Sequence, residues 1–305
     1  MKRAVVLAGG LGMRLRPYTA VLPKPLMPVG DRPVLDIVIR QLRHHEFERV
    51  TIATGYLAEL IEAFFRDGGD YGVPVDYHRE QAPLGTAGAI ASVEGLDAAP
   101  FLVMNGDVLT DLDYTALMDQ HLETQAAATI ATITRDIQVS LGVLHFQDPH
   151  QPDRLTSYEE KPHFEFEASM GVYAFSPRAL AYMTPNERLD FPDLIRRLLD
   201  AGEVVRAYRS ECYWLDIGRH DDYEQALEEF ERMRHRLIPE EYPDERRSLE
   251  DRRTDAQRRE DGDRRTADER REGEERRRLP APGAVEGQPP GLPTADRPLL
   301  RRLDA

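Results

Sequence analysis

Residues 4–15 read AVVLAGGLGMRL, a short apolar run that passes directly into glycines. The run has the length of a β-strand, and glycines after a strand let the backbone approach a ligand closely and point N–H groups at phosphate oxygens. Arg14 follows in the turn and is suited to grip a polyphosphate by paired hydrogen bonds. Lys24, held between Pro23 and Pro25, adds a compact positive charge. This block predicts a phosphate-binding loop.

The glycine-rich turn is also compatible with a different class of loop. A Rossmann dinucleotide turn has a third glycine where this chain has Leu15, and a Walker loop has a Gly-Lys-Ser/Thr ending that does not follow here. A turn with a purely structural role is the remaining alternative. The positions of Arg14 and Lys24 after the glycines favour phosphate binding over that alternative.

Short apolar runs alternate with helical patterns up to about residue 235. This alternation predicts an α/β fold with a largely parallel sheet, and the sparser helices after residue 125 predict antiparallel or mixed strands in the second half. The clearest predicted helices cover residues 34–42 and 57–64, and Asp113 is predicted to cap a helix near residues 114–121. The predicted strands are Ala4–Leu7, Val50–Ala53, Phe101–Met104, Thr129–Ile133, Gly142–Phe146 and Gly171–Phe175.

The 305-residue chain carries a net charge of −15 and one cysteine. The acidic charge argues against nucleic-acid binding, because a basic surface supplies most of that affinity. The lone Cys212 excludes an intramolecular disulfide and favours a reducing compartment. The first apolar run is too short for a signal peptide or a membrane span. We therefore expect a soluble, cytoplasmic protein with no membrane span.

Residues 236–305 differ in kind from the domain predicted for residues 1–235. An Arg-Arg pair recurs every six residues, starting at positions 246, 252, 258, 264, 270 and 276. A period of six does not match the helical repeat, and Leu249 is the only strongly apolar residue between Glu245 and Arg277, so this segment has no core to bury. We predict a charged tail that is disordered or transiently helical, followed by a Pro/Gly-rich disordered end. A docking arm for an unknown partner is the alternative.

Four further motifs follow the first block in order along the chain. They are PLGTAG at residues 83–88, NGD at 105–107, EEKP at 159–162 and WLDIG at 214–218. Together with residues 7–29 they resemble the signature of the sugar-1-phosphate nucleotidyltransferases, the family of mannose-1-phosphate guanylyltransferase and glucose-1-phosphate thymidylyltransferase. The resemblance covers residues 1 to about 232. It implies a Rossmann-like α/β fold with a mixed central β-sheet and a nucleotide pocket at the carboxyl edge of the sheet, as is general for open α/β sheets.

The resemblance also implies an enzymatic reaction. A nucleoside monophosphate passes from a nucleoside triphosphate to a sugar 1-phosphate, with Mg²⁺ as the cofactor, and pyrophosphate is released. Asp107 and Asp216 resemble the carboxylate pair that holds the metal, and hard oxygen ligands suit Mg²⁺. Arg14 would stabilise the departing pyrophosphate, Lys24 the α-phosphate and Lys161 the phosphate of the sugar.

The other residues that the resemblance implicates bind the two substrates. The nucleotide set is Leu7, Ala8, Gly9, Gly10, Gly12, Glu80, Gly85 and Thr86, and the sugar set is Gly142, Glu160, Gly171 and Tyr173. Structural roles stay open for several of them: burial in the core for Leu7, Ala8 and Tyr173, β-bulges for Gly142 and Gly171, and an exposed strand end for Glu160 and Lys161. Each aspartate taken singly is more often a turn former or a helix cap.

The PLGTAG run is most like the guanylyltransferase branch, so we expect GTP with mannose 1-phosphate or a related sugar. Thymidylyl, uridylyl or cytidylyl transfer to glucose 1-phosphate or another sugar phosphate is the alternative, as is a non-catalytic nucleotide-sugar-binding regulatory subunit. Met13 departs from the Thr or Ser of many relatives, and no hexapeptide repeat follows residue 235. The sequence leaves open whether the protein forms a homo-oligomer.

Overall fold

A computed structural model of the chain describes residues 2–146 and 151–241. The predicted Arg-Arg tail and its Pro/Gly-rich end lie outside the described residues. The strands are β1 (Arg3–Ala8), β2 (Pro28–Val29), β3 (Arg32–Pro33), β4 (Arg49–Thr54), β5 (Val75–Arg79), β6 (Phe101–Asn105), β7 (Val108–Thr110), β8 (Ala128–Gln138), β9 (Gly142–His145), β10 (Ser157–Glu160), β11 (His163–Phe175), β12 (Val205–Arg209) and β13 (Trp214–Asp216). The helices are α1 (Val34–His44), α2 (Ala58–Phe65), α3 (Gly85–Gly88), α4 (Tyr114–Thr124), α5 (Phe191–Asp200) and α6 (His220–Leu237).

The central sheet has seven strands in the order β12-β8-β11-β6-β1-β4-β5. β1 pairs in parallel with β4 and β6, and β4 pairs in parallel with β5. β11 runs antiparallel to β6 and β8. The mixed sheet confirms the predicted fold class, and the antiparallel β11 confirms the change in the second half of the chain. Most predicted strands and helices coincide with observed elements to within a few residues at their ends, but β8 continues to Gln138, past the predicted end at Ile133, and β11 begins at His163, well before the predicted start at Gly171.

The centre of this sheet is covered on both faces, which explains why β1 reads as a continuous apolar run. Val5 packs in one apolar cluster with Leu194 of α5, and Val6 packs in a second cluster with Leu35 of α1. Both valines are fully buried. Since β1 lies between β4 and β6, the loops that leave these parallel strands diverge at their carboxyl ends and open a crevice there.

Beside this crevice, β8 and β11 continue as a two-stranded arm. β6 ends at Asn105, and the residue pair between β11 and β6 nearest to this end is Val172 with Met104. The pairing of β11 with β8 goes on from Ser169–Thr132 to His163–Gln138. At about 3.4 Å per residue, this extension rises about 20 Å past the sheet edge. We call residues 132–138 and 163–169 the arm.

The predicted domain boundary at residue 235 falls inside α6, and the described chain continues to a turn at Pro239–Glu241. This turn is tied to α1 and β3, since Arg40 of α1 contacts Glu240 at 2.5 Å and Arg32 of β3 pairs with Glu241. No helix within residues 2–146 and 151–241 is both long and apolar enough to cross a bilayer.

Candidate active site

A short antiparallel ribbon brings two carboxylates together. Asp107 directly precedes β7, and Asp216 ends β13 opposite Val108. The N–H of Ile217 donates to the carbonyl oxygen of Asp107 at 3.2 Å, which closes the ribbon at this end. The two aspartates, far apart in the sequence, therefore lie side by side at the crevice.

Lys24 supplies a positive charge between these aspartates. Its Nζ bonds to Oδ2 of Asp107 and lies 3.9 Å from Oδ1 of Asp216. Burial raises the pKa of Asp216 above its usual value, and the neighbouring Asp107 charge raises it further against the opposing charges of Lys24 and Arg14. The cluster therefore holds more negative charge than one ammonium group balances.

The remaining carboxylate oxygen of Asp107 identifies what the cluster is suited to bind. This atom, Oδ1, is buried and has no hydrogen-bond partner among the described residues. A buried polar atom without a partner is costly, and a hard divalent cation satisfies a carboxylate oxygen. The described part of the chain contains no group of three or more His, Cys, Asp or Glu suited to a metal. Asp107 and Asp216 thus fit a cation that takes its other ligands from phosphates and water.

The glycine-rich turn after β1 lies beside this cluster. Arg14 sits in a 3₁₀ turn, Met13–Leu15, and its charge opposes the rise in the pKa of Asp216. A Cβ built on Gly218 would lie 3.6 Å from Nη2 of Arg14. Side chains hold the turn by donating to its carbonyl oxygens: Thr19 to Gly12 at 2.7 Å, His220 to Arg16 at 3.0 Å and Tyr56 to Ala20 at 3.1 Å. The loop is therefore ordered by its own surroundings.

Glu80, just after β5, reaches the same turn. Its Oε1 would lie only 2.5 Å from a Cβ on Gly9, so a side chain there would displace this carboxyl group. Its Oε2 accepts the N–H of Leu84 at 3.1 Å, and burial raises the pKa of the Glu80 carboxyl. The carboxyl group is thus fixed between the glycine-rich turn and the PLGTAG segment.

The PLGTAG segment packs on the start of α5. The N–H groups of Ala87 and Gly88 both donate to the carbonyl oxygen of Leu189 at 2.9 Å. Thr86 donates its N–H to Oδ1 of Asp190 at 3.0 Å, and its hydroxyl accepts the N–H of Phe191 at 2.9 Å. The Thr86 hydroxyl is therefore engaged in holding the N-terminus of α5.

The residues expected to bind the sugar phosphate lie elsewhere. In the described structure, the contacts that join Arg14, Lys24, Asp107 and Asp216 do not extend to Lys161. Lys161 is exposed at the turn between β10 and β11, with a φ of 48°. The Tyr158 hydroxyl donates to Glu160 at 2.7 Å, and its ring fills the space beside Gly142.

Tyr173 lies in the core, which is the structural role left open for it by the sequence. The residue is 8% exposed, and its ring centre lies 4.2 Å from that of Phe191 and 5.9 Å from that of Phe175. These aromatic neighbours cover the ring, and its packing on a sugar stays a prediction. Gly171 lies in the β-bulge between Ser169 and Tyr173, where a Cβ would meet Nδ2 of Asn105 at 2.6 Å.

The other expected nucleotide contacts follow β1. Ala8 is buried, Leu7 packs partly buried against the apolar cluster around Val5, and Gly10 and Gly12 lie in the turn itself. The open alternative of simple burial therefore holds for Ala8.

Two acidic residues that the motifs do not single out as site residues support the site. Oδ2 of Asp222 accepts the N–H groups of Gly218 at 3.2 Å and Arg219 at 2.7 Å. Asp111 accepts the N–H of Tyr213 at 2.7 Å with Oδ1 and pairs with Arg236 through Oδ2. The role of Asp222 could have been predicted from the sequence, because an Asp in the first turn of a helix is a capping signal. The pairing of Asp111 with Arg236 depends on the tertiary fold.

Comparison with known proteins decides the family. The model of the family described as nucleotidyl transferase matches residues 3–232. The chain belongs to the nucleotidyl transferase family. The match ends before the predicted tail and covers all five motifs, so the family predicted from those motifs is confirmed. Nucleotidyltransferases of this family generally use a divalent metal ion.

Named relatives within the family differ in nucleotide and sugar. The chain is 34% identical over 244 residues to a UTP–glucose-1-phosphate uridylyltransferase from Synechocystis sp., covering 74% of this chain and 62% of that protein. It is 30% identical over 231 residues to the D-glycero-alpha-D-manno-heptose 1-phosphate guanylyltransferase of Aneurinibacillus thermoaerophilus, covering 75% and 98%. The crystal structure of HddC from Yersinia pseudotuberculosis complexed with GMP-PN superposes with a TM-score of 0.58 at 28% identity, covering 75% and 100%. The chain thus spans 62% of the length of the first relative.

Proposed function

We propose that this chain transfers a nucleoside monophosphate from a nucleoside triphosphate to a sugar 1-phosphate and releases pyrophosphate. The cluster of Lys24, Asp107 and Asp216 beside Arg14 carries the proposal. It joins phosphate-binding cations to a carboxylate pair suited to a metal, at the crevice where open α/β sheets bind ligands. The names of the relatives support the same reaction.

Mg²⁺ is the cation that we assign to Asp107 and Asp216. The unpartnered Oδ1 of Asp107 and the two-carboxylate donor set support this assignment, because Mg²⁺ commonly uses one or two carboxylates with substrate phosphates. When bound, Mg²⁺ neutralises charge on the phosphates and fixes their geometry.

The side chains of the protein position the substrates and neutralise their charge. An oxygen of the sugar phosphate forms a bond to the α-phosphorus, and the bond from that phosphorus to the pyrophosphate oxygen breaks. A phosphate monoester is already largely anionic at neutral pH, with a second pKa of ~6, so the attacking oxygen needs no general base. Arg14 stabilises the departing pyrophosphate, Lys24 the α-phosphate and Lys161 the attacking phosphate.

We propose GTP as the nucleotide, with mannose 1-phosphate or another manno-configured sugar 1-phosphate. The PLGTAG motif, the heptose-1-phosphate guanylyltransferase relative and the solved complex with GMP-PN support it. The position of Glu80 adds a physical reason. Guanine offers two adjacent N–H donors, which suit a carboxylate that only accepts, whereas uracil and thymine offer one N–H between two carbonyl groups. Transfer from UTP to glucose 1-phosphate is the second candidate, favoured by the Synechocystis relative.

Pyrophosphate release with Mg²⁺, measured across five nucleoside triphosphates and a panel of sugar 1-phosphates, tests the proposal. We expect the fastest release with GTP and a manno-configured sugar 1-phosphate. Glu80→Gln should lower kcat/KM for GTP about tenfold or more and change the value for UTP less, because the amide presents a donor to guanine. Glu59→Gln, at an exposed surface ion pair with Arg79, is the matched control. If UTP is the best substrate, the base assignment is overturned. If no pair of nucleoside triphosphate and sugar 1-phosphate releases pyrophosphate, the enzymatic proposal is overturned.

A further inference from the structure

Arg135 is a cation on the arm, and it has no role in the proposed reaction. It is exposed and lies on β8 opposite Phe166 of β11. The carbon at the centre of its guanidinium lies 4.8 Å from the ring centre of Trp214. The indole N–H of Trp214 donates to the carbonyl oxygen of Met170 at 2.8 Å, at the base of the arm. Trp214 thus holds the guanidinium at that base.

This position is close to the metal-binding carboxylates. Trp214 and Asp216 are two residues apart on β13, so their side chains project from the same face of the ribbon, about 7 Å apart along it. Met170 directly precedes Gly171, whose bulge contacts Asn105 of the NGD motif. Arg135 therefore stands over the end of β6, where Asp107 also lies.

Arg135 is a cation without a carboxylate partner among the described residues. Two acidic side chains of the arm are paired elsewhere: Asp136 contacts Nδ1 of His163 at 2.8 Å, and Glu167 contacts Nε of Arg209 at 3.2 Å. Glu165 adjoins Phe166, which lies opposite Arg135, and therefore projects from the other face of β11. Residues 1–240 contain 38 acidic and 24 basic residues, so carboxylates are in excess. Stacking occupies the flat face of a guanidinium and leaves N–H donors at its edge for an oxyanion.

The sheet order indicates which anion this is. The glycine-rich turn that would hold the triphosphate follows β1, whereas the arm belongs to β8 and β11 on the other side of β6. The two reacting phosphates have to meet between them, at the end of β6. We propose that Arg135 binds the phosphate group of the sugar 1-phosphate. This inference rests on the proposed function and gives that phosphate a cation at the base of the arm, while Lys161 stands at its tip.

The single tryptophan of the chain provides a direct assay, because Trp214 fluorescence reports on the ring that Arg135 covers. Wild type would be titrated with mannose 1-phosphate, inorganic phosphate and unphosphorylated mannose. We expect a saturable change with mannose 1-phosphate, a weaker one with inorganic phosphate and none with mannose. Arg135→Gln should weaken the apparent affinity for mannose 1-phosphate about tenfold to a hundredfold, as expected for the loss of a charge-assisted pair. Arg135→Lys should restore only part of it, since a lysine lacks the bidentate edge.

Steady-state kinetics separate this proposal from the proposed function. In Arg135→Gln the KM for the sugar 1-phosphate should rise by the same factor while the KM for the nucleotide stays unchanged. Arg209→Gln, the exposed arginine paired with Glu167 beside the arm, is the control and should match wild type. If wild type turns over and Arg135→Gln binds and reacts like it, the Arg135 proposal is overturned and the enzyme assignment stands. If wild type is inactive with every pair, the fluorescence titration still decides whether Arg135 binds a sugar phosphate.

Discussion

Gly85 and Gly202 are a matched pair for testing how tightly the PLGTAG segment packs against Leu189. Both have left-handed backbones, with φ values of 78° and 77°. A Cβ at Gly202 would meet nothing within 4 Å, whereas a Cβ at Gly85 would lie 2.7 Å from the carbonyl oxygen of Leu189 and 2.7 Å from Oδ1 of Asp190. The Leu189 oxygen cannot easily retreat, because it accepts two N–H groups from the PLGTAG segment.

Gly202→Ala should therefore lower the free energy of unfolding only through the strain of an alanine in the left-handed backbone conformation, about 1–2 kcal/mol. Gly85→Ala adds an overpacking cost of about 1–3 kcal/mol, for a total loss of about 2–5 kcal/mol. Urea unfolding measures both free energies. Equal losses in the two variants would refute the reasoning, because the Leu189 contact would then carry no cost. We also expect Gly85→Ala to raise the KM for the nucleotide, and Gly202→Ala to leave the kinetics unchanged.

The remaining predictions concern charged groups. Burial and the Asp107 charge raise the pKa of Asp216 above 3.8, so the folded state holds that proton more tightly than the unfolded chain does. The free energy of unfolding should therefore fall as pH rises from 3.8 through the raised pKa, and in urea titrations Asp216→Asn should lack this fall. His121, bonded to Thr129 and Ser176, has its pKa lowered by burial from 6.5 to about 4. Unfolding free energy should drop by up to about 3 kcal/mol as pH falls from 6.5 to 4, and a wild-type curve without that drop would contradict the neutral buried imidazole. Asp111→Asn keeps an acceptor for the N–H of Tyr213 but loses the ion pair with Arg236. Since Tyr213 directly precedes β13, which ends at Asp216, half-maximal activity of this variant should require more Mg²⁺. An unchanged Mg²⁺ titration would show that the ion pair does not position Asp216.

Much of the fold is readable from local patterns. The apolar run of β1 and the glycines after it predict a buried strand that ends at a ligand site. Asp113 caps α4 as predicted, since its Oδ1 accepts the N–H of Ala116 at 3.0 Å. β12 is harder to read, because it is an edge strand whose Arg206 and Arg209 face solvent and interrupt any apolar pattern.

The candidate site is readable only in part. The motifs identify Lys24, Asp107 and Asp216, and the resemblance pairs the two aspartates. How they meet depends on the fold: the ribbon of β7 and β13 joins the aspartates, and Lys24 reaches both from a separate turn. The burial of Tyr173 against α5 could not be decided from the sequence, because a strand pattern does not reveal which face of the strand a helix covers. Arg135 belongs to no motif, and its contact with Trp214 joins two strands that are not paired with each other. Such contacts depend on the tertiary fold.

The most direct test of the central claim is pyrophosphate release by wild type and by Asp107→Asn, with GTP, mannose 1-phosphate and Mg²⁺. Wild type should turn over, and Asp107→Asn should lose at least about 10²-fold in kcat, as is typical when an electrostatic contact to the reacting groups is removed. Its unfolding midpoint should show that the variant remains folded. Near-normal turnover by folded Asp107→Asn would contradict the assignment of this carboxylate cluster as the active site.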